Sequence, residues 1–170
     1  PWENLFFHND FENPLKKETA GKYATTLEMV RLSPSASNHQ PWRAVKTGEK
    51  WHFYLKRTPG YNERLLVKLT GMADLQRIDL AETKAENDAL KHLRVMRSVQ
   101  WLSLGKTRVT DRGMQHLAGL PKLTYLRLAE TAVGDAGLAE IAKIESLEKL
   151  DLELLRISDK GLAQLQSLKN

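Results

Sequence analysis

A period of 24 residues runs through the second half of this chain. Leu75, Val99, Leu123 and Leu147 mark it. Next come Ile78, Leu102, Leu126 and Leu150, then Leu80, Leu104, Leu128 and Leu152. Thr83, Thr107 and Thr131 follow, with Leu155 in the last copy. Asp111, Asp135 and Asp159 share a column with Asn87, and Gly113, Gly137 and Gly161 share one with Ala89. Leu90, Met114, Leu138 and Leu162 come next, then Leu93, Leu117, Ile141 and Leu165. Such an array admits few folds, because each unit is half a core and stacking completes it. The run L-x-x-L-x-L predicts a short strand with its Leu side chains inward. The Thr places a hydroxyl at the following turn, in reach of backbone groups. The Asp stands where a helix N-cap is needed, and Gly-Leu-x-x-Leu gives that helix an apolar face.

This pattern resembles the leucine-rich repeat family over residues 75–170. The resemblance implies an α/β solenoid of four strand–helix units whose outward strand residues line a concave, protein-binding face. The first outward column reads Arg77, Trp101, Tyr125, Lys149, and the second Asp79, Ser103, Arg127, Asp151. Trp, Tyr and Arg are favoured interface anchors. The candidate protein-binding residues are therefore Arg77, Trp101, Tyr125, Arg127 and Lys149. The competing reading is that Trp101 and Tyr125 stack on one another or lie under the N-terminal part. The sequence stops at Leu168-Lys169-Asn170 with no polar cap. The expectation is that further repeats follow or that the end is a dimerisation or aggregation surface.

The chain changes character near residue 73. Residues 1–72 hold all four Phe, three of the four Trp and five of the six Pro, with eight Leu. Residues 73–170 hold twenty Leu. The expected division is residues 1–73 and residues 74–170, with no linker between them. In the first part, residues 14–33 are predicted helical, from Pro14 to the stop at Pro34. Trp42 to Lys46 and Trp51 to Lys56 flank Thr47-Gly48-Glu49-Lys50, which signals a hairpin. Tyr61 to Leu69 is expected to be helical. The polar segment Ser33-Pro34-Ser35-Ala36-Ser37-Asn38-His39-Gln40 suits a planar polar ligand held by hydroxyl, amide and backbone groups. No G-x-G-x-x-G or Walker sequence occurs.

Residues 31–42, with Pro34-Ser35-Ala36-Ser37-Asn38-His39-Gln40-Pro41-Trp42, resemble the flavin loop of the nitroreductase family. Trp2-Glu3-Asn4-Leu5-Phe6-Phe7, His52-Phe53-Tyr54-Leu55 and Asp74 to Asp79 are similar to the second half of the two-half members of that family. The resemblance covers residues 1–80. It implies an α+β half-domain and an FMN-dependent oxidoreductase using NAD(P)H. Pro34, Ser35, Ala36 and Asn38 would touch the flavin, and Trp42 would be core. Ala36 departs from the motif by losing a hydroxyl. The basic residues that grip the FMN phosphate lie in the half that is absent, so the site is incomplete. Arg31 and Arg43 are the available substitutes. Leu75, Ile78 and Leu80 satisfy both patterns at once, as a recombined or fused chain would.

Composition removes other chemistries. The chain has no Cys, which excludes disulfides, thiolate metal sites and a Cys nucleophile. No apolar run approaches the roughly 20 residues of a membrane span. The net charge of +5 comes without a basic cluster beyond Lys16-Lys17, so nucleic acid is not the expected partner. His92 and His116 share one repeat column, read as a surface column rather than a metal ladder. No metal site is expected. The chain begins at Pro1 with no leader in view. The expectation is a cytoplasmic protein whose natural start lies upstream. Two functions are expected in order: a non-catalytic protein-binding module, then an FMN oxidoreductase completed by homodimerisation or by a missing half.

Overall fold

Alternating apolar residues in each repeat build one strand per unit, and the strands pair side by side. The computed structural model describes residues 6–8, 16–24, 42–47, 50–55, 72 and 74–168. Its strands are β1 (Phe6–His8), β2 (Trp42–Thr47), β3 (Lys50–Leu55), β4 (Leu75–Asp79), β5 (Trp101–Ser103), β6 (Tyr125–Arg127) and β7 (Lys149–Asp151). They form a seven-stranded sheet in sequence order. β2 and β3 are the antiparallel hairpin that the Thr47–Lys50 turn predicts. From β3 to β7 every pairing is parallel. The sheet therefore runs across residue 73, where the composition changes.

The helices are α1 (Asn87–Leu90), α2 (Asp111–Met114), α3 (Asp135–Ile141) and α4 (Asp159–Gln164). Short 3-10 turns extend α1 and α4. The inward columns form one core: Ile78, Leu102, Leu126, Leu90, Met114, Leu138, Leu93, Leu117 and Ile141 are each 0% exposed. The Thr column acts as its position predicts. Thr83, Thr107 and Thr131 each donate Oγ1 to the carbonyl three residues back, at 2.7, 2.6 and 2.8 Å. That bond closes the turn leaving each strand. One residue before that column, Glu82, Lys106, Glu130 and Leu154 all take the left-handed conformation, with φ between 57° and 59°. The first three donate their N–H to the next repeat, at Gly105, Ala129 and Glu153.

The Asp column corrects the expectation drawn from it. Each Asp is the first residue of its helix, and the N-caps are the residues before it, Thr110, Gly134 and Ser158. The carboxylate instead reaches the following repeat. Asp111 Oδ1 accepts from Gly134 N at 2.7 Å and from Gly137 N at 2.9 Å. Asn87 Oδ1 accepts from Thr110 N, and Asp135 Oδ1 from Ser158 N, each at 2.9 Å. Asp111 thus satisfies a first-turn N–H of the neighbour's helix at Gly137, while Asn87 and Asp135 hold the N–H of the next helix's N-cap residue, and in α4 Ser158 Oγ itself accepts from Gly161 N. The Gly column follows from this. A Cβ at Gly113 would stand 2.7 Å from Asn87 Oδ1, and one at Gly137 2.6 Å from Asp111 Oδ1. Ala89 stands in the same column in the first copy and is buried.

Residues predicted as a helix from 14 to 33 fall partly within the described set. Lys17–Tyr23 is a 3-10 helix, kinked at Gly21 with φ 58°. Glycine adopts that angle without a Cβ penalty, and the positive φ interrupts the continuous helix that the spacing predicts. Tyr23 OH and Lys22 Nζ both donate to Asp74, the latter at 2.9 Å, which ties this segment to the start of β4. Those two donors hold the Asp74 carboxyl below its ordinary value of 3.8. The predicted Tyr61–Leu69 helix lies outside the described residues.

Candidate functional site

Parallel pairing in register sets equivalent strand residues side by side. Arg77 pairs with Trp101, Trp101 with Tyr125, and Tyr125 with Lys149. The strand spacing of about 4.8 Å is close to that of stacked rings. The Trp101 and Tyr125 rings accordingly stack, with centroids 5.1 Å apart and planes 2° from parallel. The Arg77 guanidinium lies over the other face of Trp101, 3.4 Å from its centroid. A cation over an indole face is attracted by the ring quadrupole. The rings stack, as the competing reading of this pair expects, and Arg77, Trp101 and Tyr125 all keep part of their surface exposed. Lys149 continues the row as an exposed residue.

The second row holds Asp79, Ser103, Arg127 and Asp151. Arg127 Nε donates to Asp151 Oδ2 at 3.0 Å. Asp79 and Asp151 each accept through Oδ1 from a backbone N–H two residues on, at 3.0 Å. Ser103, read from the sequence as outward, is buried beneath its neighbours. Lys106 Nζ lies 3.5 Å from both Glu82 and Glu130, a third charged row at the left-handed corner. The 24-residue spacing of 82, 106 and 130 carried the signal for that row, but nothing in the sequence said these residues would meet.

Sequence reasoning also placed His116 on the surface. It is buried at 8% exposure, because the helix flank of the first repeat covers it. Burial and the charges of Arg94 and Lys91 push its pKa below the ordinary 6.5. Its Nδ1 is buried with no hydrogen-bond partner among the described residues. It contributes to a cavity of about 400 Å³ also lined by Glu86, Asn87, Asp88, Lys91, Arg108, Arg112 and Gln115. Pro34, Ser35, Ala36 and Asn38 lie outside the described residues. No group of three or more His, Asp or Glu that could hold a metal occurs among the described residues. Among them, too, no helix is long and apolar enough to cross a membrane.

Comparison with known proteins matches residues 119–142, one period, to the family described as Leucine Rich repeat. The array is an α/β repeat fold with one strand and one helix per period. Among solved structures, an internalin C2 from Listeria monocytogenes is similar at 28% identity with a TM-score of 0.50. The alignment covers 60% of this chain and 43% of that one. An internalin (inlF) from the same organism is 18% identical, with a TM-score of 0.42, covering 61% of this chain and 36% of that one. This chain therefore spans less than half the length of either internalin chain. No curated protein matches it.

Proposed function

We propose that this chain is a protein-binding module, and that its working surface is the concave sheet face carrying Arg77, Trp101, Tyr125, Arg127 and Lys149. The single observation behind this reading is the Arg77–Trp101–Tyr125 stack, partly exposed and held in one register by three adjacent strands. Rigid aromatic surface loses little conformational entropy on binding, which suits an interface anchor. The leucine-rich repeat match and the internalin likeness support the same class of activity. The test is capture of interacting proteins by the wild-type chain and by Trp101→Ala and Tyr125→Ala, with circular dichroism to verify folding. Folded variants that lose a specific partner support the reading. Folded variants that retain every partner overturn it.

A second reading rests on the motif of residues 31–42. We propose that FMN, if bound, contacts Pro34, Ser35, Ala36 and Asn38, and that a second copy of the chain or a missing half completes the site. The nitroreductase-like part and the cytoplasmic location stand on the sequence alone. Absorbance between about 350 and 500 nm after gel filtration with added FMN tests the flavin reading. Co-eluting flavin that Asn38→Ala releases supports it, and a colourless protein refutes it.

A further inference from the structure

We propose that the outer edge of β7 pairs with the same edge of a second copy of this chain, antiparallel about a two-fold axis at Leu150. β7 is the last strand in the sheet order. In β6 the even-numbered residues face the next unit. Thr124 O accepts from Glu148 N and Lys149 N, and Leu128 N and Glu130 N donate to Asp151 O and Glu153 O. One period on, Glu148 O, Leu152 N and Leu154 N hold those places, with no backbone partner among the described residues. The alternation of backbone groups along a strand puts Leu150 N and O on the same edge. Beneath that edge Leu150, Leu152 and Leu165 are half-buried and Leu162 is exposed. Their counterparts Leu126, Leu128, Ile141 and Leu138 are fully buried, with one further unit stacked on them.

An unpaired edge above an apolar face takes another strand that carries an apolar face of its own. The charges of β7 match its own copy. Each position of the two-fold axis fixes one register. An axis at Lys149 or at Asp151 sets that residue against itself, and one at Leu152 sets Asp151 against the partner's Glu153. Like charges directly opposite are destabilising. The axis at Leu150 sets Lys149 against the partner's Asp151, twice by symmetry, and brings no like charges together. In that register Leu150 N–H donates to the partner's Leu150 carbonyl and Leu152 N–H to the partner's Glu148 carbonyl, each in both directions. Lys149 is exposed and has no ion pair among the described residues. Asp151 holds Arg127 Nε at 3.0 Å, and its carboxylate has lone pairs left for a second cation. The axis stands perpendicular to the sheet, so α4 of both copies lies on one side and Leu162 faces the other copy's helix layer. One interface thus covers the strand edge and the apolar face together, and it leaves the row of Arg77, Trp101 and Tyr125 open.

The test is sedimentation equilibrium of the 170-residue chain, from about 2 to 500 μM. A reversible monomer–dimer equilibrium with a Kd of about 10–200 μM is expected, as a small interface gives. Amide hydrogen exchange on the same samples identifies the surface. The N–H groups of Leu150 and Leu152 are expected to exchange about twofold or more slowly in the concentrated sample than in the dilute one. In Lys149→Glu an acid faces the partner's Asp151 in both symmetric pairs, and the Kd is expected to rise about tenfold or more. Lys149 is exposed, so the variant is expected to keep the wild-type melting temperature in dilute solution. A dimer with slowed Leu150 and Leu152 amides, weakened by Lys149→Glu, supports the proposal. A monomer throughout, growth beyond the dimer, unslowed amides, or an undiminished dimer in Lys149→Glu overturns it.

Discussion

The third and fourth repeats carry the same columns and differ in what covers them. Leu138 and Ile141 in the third are 0% exposed, whereas Leu162, the counterpart of Leu138, is 50% exposed. Leu126 is fully buried, and Leu150 only partly. Glu130 donates its N–H to Glu153, but Leu154, in the same left-handed column, is 74% exposed. The residue type is nearly constant along each column, so the difference comes from the neighbour. In a stacked array, burial belongs to the interface between units rather than to the unit itself.

The largest test of that comparison is truncation within one column. Leu138→Ala is expected to cost about 2–5 kcal/mol, and Leu162→Ala less than about 1.5 kcal/mol. Urea denaturation of both variants measures the gap, and equal losses would break the comparison. Next, the Gly column has opposite requirements in different copies. Gly137→Ala is expected to cost about 1–3 kcal/mol, since its Cβ meets Asp111 Oδ1 and Val133 Cγ1, each at 2.6 Å. Ala89→Gly is expected to lose only about 0.5–1 kcal/mol, through helix propensity. Asp111→Ala removes two hydrogen bonds to the third repeat and is expected to lower stability by about 1–3 kcal/mol. Hydrogen exchange should show that loss at Gly134 and Gly137, in the repeat after the mutation.

The buried imidazole gives a pH test. The folded pKa of His116 lies below the ordinary 6.5, so the unfolded chain binds protons more readily there. Its contribution is complete above 6.5 and is lost as the pH falls through the folded value. Denaturation from pH 8 to 5 is expected to show stability falling with acid, and His116→Gln to flatten that slope. The last test is at the stacked row. Trp101→Ala is expected to cost about 0.5–2 kcal/mol beyond its buried area, from the lost Tyr125 stack and Arg77 contact. Its larger effect is expected on partner capture.

The strands of the array were readable because Ile78, Leu102, Leu126 and Leu150 recur with a fixed offset and pair in that register. The Thr turn was readable because a hydroxyl reaches only a few residues along its own chain. The Arg77–Trp101–Tyr125–Lys149 row was legible as an alignment, and the Trp101–Tyr125 stack as one of its two readings, whereas the Arg77 contact with Trp101 was not. His116 was missed because no local pattern encodes cover from the preceding repeat. The flavin-like segment 31–42 lies outside the described residues.

The sequence by itself determined the period, the strand register and the inward columns, since those depend on spacing along one chain. Only the tertiary structure decided where each carboxylate goes. Asp111 and Asp135 sit at the start of their own helices yet bond across to the next unit. A side chain's partner is chosen by distance in space, and stacking brings the following helix start within hydrogen-bond reach. The same stacking leaves no room for a Cβ at Gly113 and Gly137.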